Sequence, residues 1–321
     1  MKKFTPLVLL LAMVAVPVGC RPKEPKPQDL HVGIGTFSEA IDYAPVYVAR
    51  HFHWFEDELK AIGVSSAPDY RQFNGFDEVQ TAFDQKKLHA FFSAEAPATV
   101  LRSNKQDIRI VEVGCTLQQE VLVRTVLNIS SVAQLRGKKI AVAEGTSSHY
   151  GLLKILASVG LTENDVTLVP GFPGDAQPKF ERGDVDAWAV WPPFVEQQVV
   201  AKRGVTLPGG DARIQSVMSL HSSVMVLQPD VGKALVTAIQ TAKQWLAANP
   251  DEGQSIIAKQ LKLDTEVVKL AWPKHNWGAM LTDDVLIDIQ AKSKFLTDQG
   301  VVRKRGVIAV SDLVDKRYMQ K

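Results

Sequence analysis

Residues 141–156 read AVAEGTSSHYGLLKIL, and this stretch decides the fold. The apolar run over 139–143 predicts a buried strand that stops at Gly145. A hydroxyl cluster follows, Thr146, Ser147 and Ser148, and a helical pattern begins at His149. A helix entered this way gathers unpaired backbone N–H groups, hydroxyl donors and the positive end of its dipole at one point. That is a ready site for an anion. The competing reading is that Ser147 or Ser148 only caps the helix.

Working outward, strands and helices alternate. Strands are expected over 30–36, 67–73, 90–93, 108–113, 121–125, 139–143, 166–169, 187–190 and 223–227. Helices are expected over 45–52, 54–62, 76–84, 96–103, 149–159, 176–182 and 193–202, and from Pro229 onward the pattern is mainly helical. Such alternation predicts an α/β protein whose mostly parallel sheets are covered by helices. Right-handed crossovers then bring the loops after the strands to one rim, where open α/β sheets bind ligands. Those loops carry FSEAIDY (37–43), SAEA (93–96), EGTSS (144–148), WAVWPPF (188–194) and MSLHS (218–222), so a small-molecule site is plausible there.

Composition narrows the choices. The chain of 321 residues is 45% apolar and 22% charged, which is globular. Lys2 and Lys3 precede a ten-residue apolar run over 7–16, too short for a membrane span and suited to a signal peptide over 1–19. Pro17-Val18-Gly19-Cys20 resembles the bacterial lipobox, with Cys20 as the lipidated first residue of the mature chain; Pro17 departs from the aliphatic residue that pattern prefers. RPKEPKPQ over 21–28 then reads as an extended tether. Roughly 290 residues remain, enough for two lobes. Without Lys2 and Lys3 the 37 basic residues fall to 35, equal to the 35 acidic ones, so nothing suggests nucleic acid as a partner. With Cys20 lipidated, Cys115 stands alone and no disulfide framework forms. No CxxC, HExxH, GxSxG or GxxxxGK[ST] occurs, and the seven histidines show no ligand spacing, so neither a metal nor a cofactor is expected.

Four stretches carry a family resemblance: APVYVARHFHWFEDELKAIGV, SAEAPATVLRSNKQDIRIV, LRGKKIAVAEGTSSHYGLLKILASVGL and FERGDVDAWAVWPPF. In this order they resemble the solute-binding proteins of ABC importers, in the group serving aliphatic sulfonates, taurine and nitrate. The similarity runs in register from about residue 30 to 305, and FLTDQGVVRKR resembles the end of that family. The resemblance implies the type II periplasmic binding protein fold, with two sheets in two lobes and a ligand cleft between them. Lobe one would hold 30–116 plus 219–321, lobe two 117–218, with crossings near 113–122 and 214–223. It implies a monomer anchored to the membrane through lipidated Cys20, an ABC permease and ATPase as partners, and no enzymatic activity.

Carried over position by position, the anion grip falls on Gly145, Thr146, Ser147, Ser148 and His149. Ser93, Ala94 and Glu95 match the second ligand-facing loop, and Trp191 an aromatic after the DAW strand. Tyr43 and Ser219 join the candidates from the first and last loops. Many relatives have an acid after that Trp where this chain has Pro192, which removes a carboxylate suited to an amine. Glu39 and Asp42 stand in the first loop, where sulfonate binders often carry neutral residues. Acids there repel a pure anion and suit a zwitterionic or heteroaromatic ligand.

Simpler roles compete. Glu95 can cap the helix after it, Trp188 suits the sheet core, His221 suits a surface position, and Trp272 and Trp277 suit packing. His149, at a helix start, is expected to be neutral. Three functions stay open: an importer's binding protein, a ligand-binding sensor or accessory protein, and a pyrimidine-precursor-related protein or enzyme, whose cysteine cluster is missing here.

Overall fold

The computed structural model describes residues 30–37, 40–302 and 306–318. Glu39, Cys20, the leader and the tether lie outside them. The elements run β1 Gly33–Thr36, α1 Ala44–His51, α2 Trp54–Ala61, β2 Asp69–Gln72, α3 Phe76–Asp84, β3 Ala90–Ala94, α4 Glu95–Ser103, β4 Ile108–Arg124, β5 Lys139–Val142, α5 Ser147–Ala157, β6 Thr167–Pro170, α6 Pro173–Arg182 and β7 Ala187–Val190. There follow α7 Phe194–Val200, β8 Gly204–His221, α8 Pro229–Ala248, α9 Pro250–Leu261, α10 Thr265–Ala271, β9 His275–Asn276, α11 Asp283–Asp298 and α12 Val310–Leu313. No helix among the described residues is long and apolar enough to cross a membrane.

The described strands form one nine-stranded sheet in the order β2-β1-β3-β8-β4-β7-β5-β6, with β9 paired to β4. Two parallel cores stand at its ends, β2-β1-β3 and β7-β5-β6. The two expected sheets are thus continuous. The cause is the length of β4 and β8, which pair antiparallel from Ile108↔His221 to Arg124↔Gly204. The 121–125 strand and the expected crossings are parts of these long strands.

The inner strands of each parallel core, β1 and β3 in one and β5 and β7 in the other, are largely buried and read as mostly apolar or small-residue runs, while the outer strands β2 and β6 are only partly buried. Ile140, Ala141 and Val142 of β5 and every residue of β7 are buried, Trp188 among them. On one face of the first half, α8 buries Leu235, Ile239, Ala242 and Leu246 at helical spacing against Val46 and Phe55 of α1 and α2. Burial of each large side chain there contributes about 1.5–3 kcal/mol. Trp272 and Trp277 are also buried in this cluster, as packing predicts.

The 223–227 segment is not a strand. Ser223–Leu227 forms a single π-helical turn ahead of α8, with Val226 and Leu227 exposed. Its short apolar run matches strand and helix alike, and the adjoining Pro229 helix start decides the outcome.

Candidate functional site

The β5–α5 junction is built by local chemistry. Gly145 takes φ +67°, open to glycine without strain. A Cβ there would lie 2.6 Å from Val301 Cγ2, so the loop packs closely on the segment after α11. Thr146, in extended conformation, is the N-cap: its Oγ1 accepts from the Ser148 and His149 amides at 3.2 and 3.4 Å, and donates to Ala143 O at 2.6 Å. The helix therefore starts at Ser147, two residues earlier than expected, and neither Ser147 nor Ser148 caps it.

Freed from capping, the serines divide. Ser148 Oγ donates to Ala189 O at 3.2 Å, tying α5 to β7. Ser147 is buried, and its Oγ has no partner among the described residues. The Gly145 amide donates to His149 Nδ1 at 3.3 Å, which assigns the ring proton to Nε2. Burial holds the His149 pKa below the usual histidine value, so the imidazole is neutral, as expected. Its Nε2 has no partner among the described residues, and its ring packs edge-on against Phe295 of α11 at 5.3 Å. Ser147 Oγ and His149 Nε2 are thus two buried, unspent donors at one helix N-terminus.

Gln119 completes this corner and was not anticipated. It lies on β4, fully buried, and its Nε2 donates to Ser148 O at 3.0 Å. Its Oε1 has no partner among the described residues. The signal was the polar triplet Gln118-Gln119-Glu120 between the apolar stretches of β4.

The remaining candidates gather along β8 and β4. Ala94 pairs with Ser216, and Ser216 with Cys115. Asp42, in a tight turn before α1, receives a hydrogen bond from Ser216, and its carbonyl accepts from Cys115 Sγ at 3.7 Å. Burial pushes the Asp42 carboxyl from 3.8 up to about 6, against the pull of the Ser216 bond. Ser93 Oγ donates to Ala94 O at 2.9 Å. Cys115 and Gln119 are four residues apart on one strand, so the Asp42 and α5 ends of the site lie roughly 13 Å apart along β4.

Glu95 neither caps α4 nor stands free. Its Oε2 accepts from the Gln215 amide at 3.0 Å, and its Oε1 lies 2.5 Å from Lys292 Nζ. Lys292 also donates to Asp288 Oδ2 at 2.7 Å and Arg213 O at 2.8 Å, which uses its three N–H groups. Burial pulls Lys292 down, but the Glu95 and Asp288 carboxylates outweigh it and hold the ammonium charged. Burial pushes the Glu95 carboxyl above its usual range, and the Lys292 ammonium opposes that shift.

Three candidates stand apart. Ser219 is buried two residues before the end of β8, paired with Phe91 and Ile110, and its Oγ has no partner among the described residues; Ser93 and Ala94 pair further back, with Val217 and Ser216. Tyr43 is packed into the large core cluster. Trp191 is partly buried and packs against both that cluster and the one around Trp188, bridging the two halves. The turn after it contains a cis Pro192–Pro193 peptide.

Comparison with known proteins fits this architecture. The sequence pattern of the NMT1-like family matches residues 23–262. A Bacillus subtilis (strain 168) protein provisionally named as an aliphatic sulfonates-binding protein is 26% identical, covering 98% of this chain and 96% of that one. The taurine-binding periplasmic protein of Escherichia coli (strain K12) is 26% identical over 64% of each chain. Among solved structures, the periplasmic aliphatic sulphonate binding protein SsuA of Escherichia coli superposes with a TM-score of 0.76 at 18% identity, over 91% of this chain and 94% of that one. The alkanesulfonate-binding protein SsuA of Xanthomonas axonopodis pv. citri, bound to MOPS, superposes with a TM-score of 0.71 at 18% identity, over 88% and 97%. The fold is that of the periplasmic binding proteins, with helices flanking a central sheet.

Proposed function

The chain belongs to the NMT1-like family, and on that premise we propose that it is an exported solute-binding protein of an ABC importer. Its ligand is a small organic molecule with an anionic head of the sulfonate type. The observation that carries this reading is the pair of buried, unspent donors, Ser147 Oγ and His149 Nε2, at the N-terminus of α5. A sulfonate oxygen accepts from both, and the helix dipole favours its charge. Lys292, whose ammonium lies 5.9 Å from the Tyr150 ring of α5, is already committed to three acceptors, so hydroxyl, imidazole and backbone donors carry recognition.

The Asp42 end and the acidic Glu95–Lys292–Asp288 group favour a ligand whose far end donates hydrogen bonds or is cationic. A zwitterion such as an aminosulfonate meets both ends. Residues 30–116 plus 219–321 would form one lobe and 117–218 the other, closing on the ligand about β4 and β8. Contacts of Gly145 with Val301 and of His149 with Phe295 fit such closure. So does Lys274, which hydrogen-bonds Glu120 and lies 2.5 Å from Glu196 of α7. Cys20, lipidated, would tether the protein to the membrane beside its permease and ATPase; the protein binds its ligand unchanged and is not an enzyme.

The deciding experiment is a thermal-shift panel of alkanesulfonates, taurine, nitrate and sulfate. A ligand at a hundred times its Kd adds about 2.7 kcal/mol to stability and raises Tm by a few degrees. A shift with sulfonates or taurine supports the reading; silence across all four overturns it.

A further inference from the structure

A recess of about 500 Å³ lies between β4, α8 and the segment 277–283, and none of the candidate ligand residues lines it. Its floor is buried and polar. Glu112 accepts from Lys243 Nζ at 2.8 Å through Oε1 and from Gln240 Nε2 at 2.7 Å through Oε2. Lys243 Nζ also donates to Ala279 O at 2.7 Å, so two of its three N–H groups are spent. The indole N–H of Trp277 is buried with no partner among the described residues. Val111 and Leu281 supply apolar wall, and Ala247 and Met280 stand exposed at the mouth.

A buried ion pair contributes little net stability, so the pair at the floor calls for another role. Glu112 and Lys243 cancel in charge, and Asp283 at the rim is exposed to solvent. What the floor offers is uncharged complementarity: the remaining N–H of Lys243, and acceptor capacity left on Glu112 Oε2. The volume lies in the range of small-molecule pockets, roughly 300–1,000 Å³.

We propose that this recess is a second small-molecule site, separate from the α5 site, which takes a neutral amide with an apolar body. The amide carbonyl accepts from Lys243, its N–H donates to Glu112, and its apolar part lies against Val111, Leu281 and the Trp277 ring. A full charge on the ligand would lose its hydration without gaining an unpaired counter-charge.

The test is an NMR titration of the full chain with benzamide, following the Trp277 indole N–H resonance, identified by its loss in Trp277→Phe. Benzoate and benzylamine serve as the charged analogues. We expect a saturable shift with benzamide at an affinity at least tenfold above either analogue. The shift should vanish in Ala247→Phe, which fills the mouth from an exposed helix position; Met280→Phe gives an independent block. Absence of a saturable shift, a shift that survives both blocks, or equal affinity for the charged analogues overturns the proposal. Displacement of benzamide by a ligand of the α5 site also overturns it, because the sites would then be one.

Discussion

Gln119 and Ser148 are joined by a 3.0 Å hydrogen bond from the strand amide to the helix carbonyl, across which β4 holds the start of α5. The bond depends on a third residue. A Cβ at Gly151 would lie 2.4 Å from Gln119 Nε2 and 2.9 Å from Ala212 Cβ, so only glycine lets the strand approach the helix here. Gly151→Ala should therefore destabilise the protein by about 1–3 kcal/mol through overpacking. Urea denaturation will check this; a neutral or stabilising result would show that Gln119 moves freely.

The two hydroxyls at the head of α5 should separate in their effects. Thr146→Ala removes the cap and should cost about 1 kcal/mol of stability. Ser147→Ala removes an unpartnered oxygen, so stability should barely change while ligand affinity falls by about 1.5–3 kcal/mol. The double variant should lose about 2–4 kcal/mol of binding, read by calorimetry. Unchanged affinity in Ser147→Ala would remove this hydroxyl from the site.

The buried group around Lys292 should behave as a unit. Glu95→Gln or Lys292→Met alone leaves a buried charge with fewer partners and should cost about 3–5 kcal/mol. Combining the two should recover much of that loss, because the pair itself contributes little. A double-variant cycle in chemical denaturation measures the coupling; strictly additive losses would argue against it.

Asp42 gives a pH signature of definite sign. Its folded pKa of about 6 stands above the unfolded value of 3.8, so the folded state binds the extra proton. Stability from this group is present below 3.8 and is lost as pH rises through about 6. The loss amounts to about 3 kcal/mol above that window. Asp42→Asn should thus be more stable than the parent above pH 6, with the gap closing toward pH 4. His89 and His275, each lowered to about 4 by burial, oppose this trend in both proteins and cancel in the comparison. A gap independent of pH would place the Asp42 carboxyl in water.

Cys20→Ser should release the protein from the membrane fraction. Fractionation followed by immunoblotting reads the outcome, and a parent protein already free of membranes would discard the lipid anchor.

Much of the architecture is legible from short-range pattern. The β5–α5 junction was readable because a buried strand, a glycine and a hydroxyl cap are adjacent in sequence, and Trp188 because its neighbours in β7 are all apolar. The Glu95–Lys292 pair was not readable, because its partners are 197 residues apart and nothing local marks them. The pairing of Ser219 was not readable for a similar reason: a serine near a strand end resembles a loop residue until the register places it beside Phe91 and Ile110. The 223–227 turn failed on periodicity, since five apolar or small residues fit a strand as well as a helix. Gln119 was hidden by length, because it falls in the stretch read only as a strand crossing near 113–122, which is the middle of the long strand β4.

That length has a mechanical consequence. The chain passes between the two halves twice, in opposite directions, on strands bonded to each other about 4.8 Å apart. Sliding one half past the other would shear a ladder of backbone bonds, whereas coiling the ribbon about its own axis strains none of them much. The pair therefore acts as a torsion bar, stiff against sliding of one end of the sheet past the other and softer in twist.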